Sequence, residues 1–330
     1  MRHIFTYSLL LVFLSVPVLS DSDPVMGIWE GSYTSETGDS GSLTLKIIAL
    51  GEGEYTAVIE LLERGKRVEL SGRQQDMGTV FRGSIDLGED MGGAFLVEAV
   101  AAGPDLEGTY TGTTDKGVIK LKKVTKKSPT LGASPPDGAL TLFDGSGLNQ
   151  WKRINGETPT WKILGSGAME VVKGNIITKE HFGDAKVHLE FRTPFMPEAR
   201  GQARGNSGVY VQGRYEAQIL DTFGLEPQHH ECGGIYEIAE PLVNACLPPL
   251  DWQTYDIDFL APRFDDTGQK TTDAAMTVRL NGILIHDGVK VPRPTRASID
   301  SNEVPKGGLM LQDHGNPVQY RNIWILPMNE

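Results

Sequence analysis

The chain has 330 residues, 39% hydrophobic residues, 39 glycines, 19 prolines and a formal net charge of -12. Such a length suits two domains of ordinary size, and the composition suits a soluble, turn-rich, β-rich protein. The acidic balance, with no clustered basic stripe, excludes nucleic acid as a partner, because a phosphate backbone calls for a basic footprint.

Residues 1–20, MRHIFTYSLLLVFLSVPVLS, combine a basic start, an apolar run and small residues before a break, the pattern of a secretory signal ending at Val18-Leu19-Ser20. Ser15 and Pro17 interrupt the run, which is short for a membrane anchor, and no cysteine follows it. A periplasmic or secreted mature chain is expected, with no membrane span after signal cleavage.

From 24 to 127 short alternating runs such as GIWEGSY, SLTLKIIAL, EYTAVIELL and GAFLVEAVA are separated by Gly, Asp and Glu turn signals. About eight strands at this spacing predict a small antiparallel β-barrel or sandwich, with Trp29, Tyr55, Phe81, Phe95 and Tyr110 in its core. The region holds no histidine and no paired catalytic set, so it reads as an accessory domain. Residues 128–139, rich in Pro, Ser and Gly, read as an extended, solvated linker.

The second domain, 140–330, is again dominated by strand patterns. In AKVHLEFR the residues Val187, Leu189 and Phe191 share one face, and His188 on the other is expected to be solvated. In GNSGVYVQGRYEAQILD the residues Glu216 and Gln218 share a face, and Gly213-Arg214 suits a two-residue type II′ turn, which would set Val211 opposite Glu216 and Val209 opposite Gln218. A carboxylate on a partly apolar face is costly unless it is paired, solvated or used.

The stretch from Leu225 to Leu250 reads as a long ordered loop of the kind that carries sites. It contains Cys232 and Cys246, which an oxidising compartment could join or leave as thiols. Its adjacent His229 and His230 are expected to point apart on an extended chain. Asn281-Gly282 signals a type I′ hairpin, and Asp313-His314-Gly315-Asn316-Pro317 puts His314 at a sheet rim. Hairpins and long loops with little helical periodicity predict an all-β chain whose C-terminal part is a two-sheet sandwich.

FDGSGLNQW, GNSGVYVQGRYEAQILD, GGIY, WQTYDI, LNG and LQDHGNPVQYRNIWI together resemble the 3-keto-disaccharide hydrolase family, over about 140–327. The resemblance implies a concanavalin A-like (laminin G-like) jelly roll that cleaves 3-keto-glycosides or 3-keto-disaccharides, supplied by a partner oxidoreductase that oxidises C3. A 3-keto group acidifies the C2 proton, so a base can remove it and expel the C1 substituent before water adds back. On the family-matching positions, His314 and Glu216 are the candidate bases. Asn206, Gln218 and Gln312 offer amides to sugar hydroxyls, Arg321 offers a cation to polarise the ketone or to pin a nearby carboxylate, and Tyr236 and Asp221 are candidate cleft residues. No cofactor is required, and a divalent cation held by loop oxygens is left open. The chain departs from the commoner family pattern in a longer HHECGGIYEIAEPLVNAC loop and in the insertion PRPTRASIDSNE. The rival from another class is a non-catalytic carbohydrate-binding or adhesion module, which the same fold would serve.

Overall fold

A computed structural model describes residues 22–61, 66–88 and 93–328. The expected signal over 1–20 lies outside the described residues. Strands β1 (Gly27–Ser35), β2 (Ser40–Gly51), β3 (Glu54–Leu61), β4 (Lys66–Gln75), β5 (Gly78–Asp86), β6 (Ala94–Ala102), β7 (Asp105–Thr111) and β8 (Lys116–Val124) pair in sequence order, and β8 pairs back to β1, closing an antiparallel barrel. Alternation sends every second side chain inward, and Trp29, Tyr55, Phe81, Phe95 and Tyr110 all lie in the barrel core. A barrel of eight strands is just wide enough for such side chains to fill.

From Leu140 the chain forms a two-sheet sandwich. One sheet has the order β10 (Trp151–Arg153), β13 (Ile176–Thr178), β22 (Met310–Leu311), β15 (Ser207–Val211), β16 (Tyr215–Ile219). The larger sheet has the order β11 (Lys162–Ile163), β12 (Met169–Glu170), β23 (Gln319–Pro327), β14 (Ala185–Arg192), β17 (Gln253–Leu260), β20 (Ala274–Leu280), β21 (Ile283–Val291), with β9 (Leu140–Phe143) also pairing β23. The small hairpin β18 (Arg263–Phe264) and β19 (Lys270–Thr272) stands apart from both. Val209, Val211, Ala217 and Ile219 from the first sheet meet Val187, Leu189, Phe191 and Ile257 from the second in one core. At Asn281 (φ 54) and Gly282 (φ 78) both turn residues are left-handed, as the type I′ hairpin requires.

Three local expectations are corrected. The turn between β15 and β16 takes three residues, Gln212 to Arg214, with Gln212 (φ 55) and Gly213 (φ 67) both left-handed. The register therefore sets Glu216 opposite Tyr210 and Gln218 opposite Gly208, instead of opposite Val211 and Val209. A shift of one residue exchanges faces, so the valines enter the core and Glu216 takes the outer face.

The segment expected to be a solvated linker is instead a strap packed on the outer face of the larger sheet. Gly132 N donates to Glu190 Oε1 at 2.6 Å, Thr130 Oγ1 donates to Asp256 Oδ2 at 2.7 Å, and the Asn322 and Trp324 side chains donate to Ala133 O.

His188, expected in solvent, is buried beneath this strap, 2.6 Å from Asp256 through Nδ1 and stacked on Trp324. Burial lowers its pKa, but the hydrogen bonds and charges of Asp256 and Glu190 outweigh that and raise it. Beside it, Glu190 also accepts from Asn322 Nδ2 at 2.9 Å and from Arg321 Nε at 2.6 Å. Burial pushes the Glu190 carboxyl up, yet its hydrogen bonds prevail and hold it at about 2.

Because Glu190 titrates below its ordinary value of 4.5, its contribution to stability is complete above that pH and is lost as the pH falls toward about 2. In Glu190→Gln this loss should be absent between those two values, and Glu190→Ala should cost about 1–3 kcal/mol at neutral pH by leaving the Gly132 N–H and the Asn322 amide without their acceptor. Urea denaturation of the three proteins across that pH range checks both.

Candidate active site

Strands β15 and β16 build the site on the outer face of the smaller sheet. Tyr210 and Glu216 form one cross-strand pair on that face and Gly208 and Gln218 the next. The loop after β16 runs back along its edge: Gln218 N donates to Gly234 O, Gly233 N to Gln218 O and Tyr236 N to Glu216 O. This edge pairing sets Tyr236 over Glu216. From the other side, Thr295 Oγ1 accepts from Glu216 N at 3.1 Å, and Arg296 O accepts from the Tyr210 hydroxyl at 3.2 Å.

The resulting cleft has a volume of about 260 Å³, and its lining includes Asn206, Tyr210, Glu216, Gln218, Gln312 and His314. Tyr236, Gln202 and Arg296 complete its polar walls. A larger hollow of about 470 Å³ lies at the β10 edge around Trp151, Lys152 and Lys179, where the lining carboxylate Glu157 is paired with Arg153.

Glu216 is 2% exposed, and among the described residues no cation is paired with it. Burial pushes its pKa up to about 8, partly opposed by a hydrogen bond with Tyr210 and reinforced by the charge of Glu237. The carboxyl lies over Gly208, where an added Cβ would fall 2.3 Å from Glu216 Oε1. Gln312 Nε2 donates to the Tyr210 hydroxyl at 3.0 Å, so Tyr210 links the carboxyl to the amide wall. Burial, then the Glu216 charge, raises the Tyr236 hydroxyl above its ordinary value. His314 stands exposed in the turn after β22, at the rim.

The amides form a network with one open position. Asn206 Nδ2 donates to Gln202 O at 2.8 Å and to Gln202 Oε1 at 3.0 Å, and Gln218 Nε2 donates to Gln202 Oε1 at 3.2 Å. Asn206 Oδ1 is buried and has no hydrogen-bond partner within the protein. A buried acceptor left in that state is costly until a donor, such as a sugar hydroxyl, reaches it.

Six of the eight expected site residues, His314, Glu216, Asn206, Gln218, Tyr236 and Gln312, therefore line one cleft. Two do not. Asp221 is buried in an ion pair with Arg204 at 2.7 Å, since it follows β16 on the side facing away from the cleft. Arg321 lies on the other sheet, paired with Glu190 and stacked over Trp252 at 4.0 Å, because β23 turns that face toward the strap.

Sequence reasoning missed Tyr210, Gln202 and Arg296. The two-residue period of β15 finds Tyr210 once the turn length is known, and Arg296 lies in the insertion PRPTRASIDSNE, whose departure from the family pattern is its only signal. Gln202 sits in a short 3₁₀ turn, Gly201–Ala203, and carries no pattern of its own.

Two further expectations concern the long loop. Cys232 and Cys246 are both free thiols in the core, each 3.5 Å from a hydroxyl, that of Tyr255 and that of Thr222 respectively. The His229 and His230 rings meet edge to face, with centroids 4.9 Å apart, because the chain turns from Gln228 to Glu231 instead of running extended.

The all-β sandwich, the cleft of amides, phenols and one buried carboxyl on its outer sheet face, and the chain's family match together mark a carbohydrate-active protein. Residues 138–326 match the 3-keto-alpha-glucoside-1,2-lyase-like domain, and the chain belongs to that family. Among solved structures, a "putative glycosyl hydrolase" from Parabacteroides distasonis ATCC 8503 is 33% identical, with 58% of this chain and 85% of that one covered and a TM-score of 0.53. A second protein of the same description and organism is 19% identical, covering 58% and 95% with a TM-score of 0.43. The carbohydrate binding module CBM66 from Bacillus subtilis is 14% identical, covering 56% and 96% with a TM-score of 0.32. No curated protein matches the chain.

In Gly208→Ala the new methyl would fall 2.9 Å from Tyr210 Cε2 and 2.3 Å from Glu216 Oε1, so the ring must give way and the carboxyl is pushed off its seat. Its titration should fall from about 8 toward the ordinary 4.5, a shift that carboxyl-carbon NMR of the variant and the parent would read directly.

Proposed function

We propose that this chain is an exported enzyme that cleaves 3-keto-glycosides by proton abstraction at C2, elimination across C1–C2 and hydration. The reading rests on one observation: a buried carboxyl with a pKa near the operating range, at the floor of a sugar-sized polar cleft and with no cation to hold it ionised. Such a group takes a proton when ionised and returns it when neutral, which is the cycle elimination requires.

In this reading Glu216 removes the C2 proton of a pyranoside bearing a C3 ketone. The C2–H electrons form the C1=C2 double bond through an enolate on the C3 oxygen, the C1–O bond breaks, and the leaving oxygen takes up a proton. Water then adds across the double bond, its oxygen to C1 and its proton to C2, releasing the 3-keto sugar. The Tyr236 hydroxyl and the Arg296 guanidinium are the donors available to the enolate oxygen, and Asn206 Oδ1 is available to a sugar hydroxyl. Arg296 replaces Arg321 as the cation of the site. In the same reading His314, which lines the cleft at its exposed rim, would pass a proton to the leaving group.

A retaining glycosidase would need two carboxyl groups about 5 Å apart. Among the described residues lining the cleft Glu216 is the sole carboxyl, and Asp221 is occupied by Arg204. The keto substrate would come from an oxidoreductase acting at C3, as the family resemblance implies.

Cleavage of a 3-keto-disaccharide followed across pH tests the roles. With Glu216 as base, kcat/KM should rise through about pH 8 and level off above it. Glu216→Gln should lose at least about 10²-fold of the rate and that limb of the profile, while His314→Ala keeps the limb at a lower rate. A full rate in Glu216→Gln would remove the carboxyl from the mechanism.

A further inference from the structure

The barrel has a packed interior, and one of its ends is fitted to the segment that builds the cleft's amide wall. Arg200 and Arg204 bracket the short turn that carries Gln202. Arg200 Nη2 donates to Leu50 O at 2.7 Å and Arg204 Nη2 to Ala49 O at 3.5 Å, so both arginines reach the same end of β2. At that end Gly51 (φ 91) lies against the Glu198 side chain, with its missing Cβ only 2.6 Å from Glu198 Cγ.

The barrel also holds the far side of the same hairpin. Arg67 on β4 donates to Gly224 O and pairs with Glu226 at 3.5 Å, while Phe223 and Leu247 are part of the barrel's own core. The buried Arg204–Asp221 pair joins the two grips, and Asp221 N donates to Arg204 O at 3.1 Å. Between them Gly205 (φ 63) passes so close to Thr193 and Asp221 that a Cβ would fall 3.2 Å from each. The segment entering β15 and the segment leaving β16 are thus clamped together by the barrel.

Gln202 sits at the centre of this clamp. It receives both the Asn206 and the Gln218 amide donors, and its own Nε2 donates to His230 O at 3.0 Å. Those bonds turn Asn206 so that its Nδ2 is consumed and its Oδ1 is left for a ligand.

We propose that the barrel is a buttress for the substrate cleft: through Arg200, Arg204 and Arg67 it positions Gln202, and Gln202 presents Asn206 Oδ1 to a hydroxyl of the substrate. The proposal rests on the cleft being the substrate site. It assigns the three arginines as positioning residues, since none of them lines the cleft. The energy that orders the amide wall is then supplied by folding of the barrel before substrate arrives, which lowers the ordering cost of binding.

The test uses the full chain with Arg67→Ala and Arg200→Ala. Arg200 is exposed, so its loss leaves the fold intact even where Arg67→Ala unfolds. Amide hydrogen exchange over residues 201–206 should quicken about tenfold in each variant, as expected for a segment released to local opening. KM for a 3-keto-disaccharide should rise about 5–10-fold with kcat within about twofold, a size typical of coupling through a contact network. Arg200→Lys, which keeps a donor near Leu50 O, should recover part of the KM.

Unchanged exchange and unchanged KM in a folded Arg200→Ala would overturn the proposal, as would a fall in kcat with KM unaltered. The exchange readout needs no substrate. Quickened exchange with a wild-type chain that turns over no keto-glycoside would keep the buttress and sink the functional reading, and turnover with unaltered exchange would do the reverse.

Discussion

Burial of the Glu216 carboxyl without a cation is the constraint around which the sandwich is arranged. Taking an ionised carboxylate out of water costs several kcal/mol unless charge or hydrogen bonds compensate, so the group holds its proton to higher pH. Everything that touches it follows from this. Gly208 leaves room for the carboxyl, Tyr210 gives it one neutral partner, and Tyr236 and the 292–303 insertion close the space above it. The same residue in an open sheet face would be an ordinary solvated glutamate.

The two outer faces of the sandwich show how far surroundings decide the chemistry of one residue type. Glu190, under the strap on the larger sheet, receives a backbone N–H, an amide, an arginine and a neighbouring histidine, and is held at about 2. Glu216, under loops on the smaller sheet, is pushed to about 8. Both are almost wholly buried. One is a fixed anion that pins the interdomain strap, and the other is a group able to change its charge near neutrality. The barrel enters the same scheme through Arg200 and Arg204, whose contacts with β2 set the backbone from which Gln202 and Asn206 reach the cleft.

Much of this was legible in the chain itself. Alternation and turn signals gave the eight strands before Val124, and Asn281-Gly282 gave its hairpin. Six of the cleft residues were reached through the family-matching motifs. What escaped reading depended on tertiary cover or on a single turn residue. Nothing in the Pro/Ser/Gly-rich composition of 128–139 reveals that its backbone donors meet Glu190 and Asp256, so His188 looked solvated. A left-handed Gln212 lengthens the β15–β16 turn, and that one residue moved Glu216 from a face with the valines to the face with Tyr210. Arg321 and Asp221 carried the right chemistry on strand positions whose faces turn away from the cleft, and Gln202 matters only because of what it holds.

The most direct measurement is product formation from a 3-keto-disaccharide beside its unoxidised parent, in deuterated water, followed by NMR. The account predicts cleavage of the keto sugar alone, with deuterium entering at C2 as the enone is hydrated. Cleavage of both sugars, or of the keto sugar with the C2 proton retained in full, would contradict it.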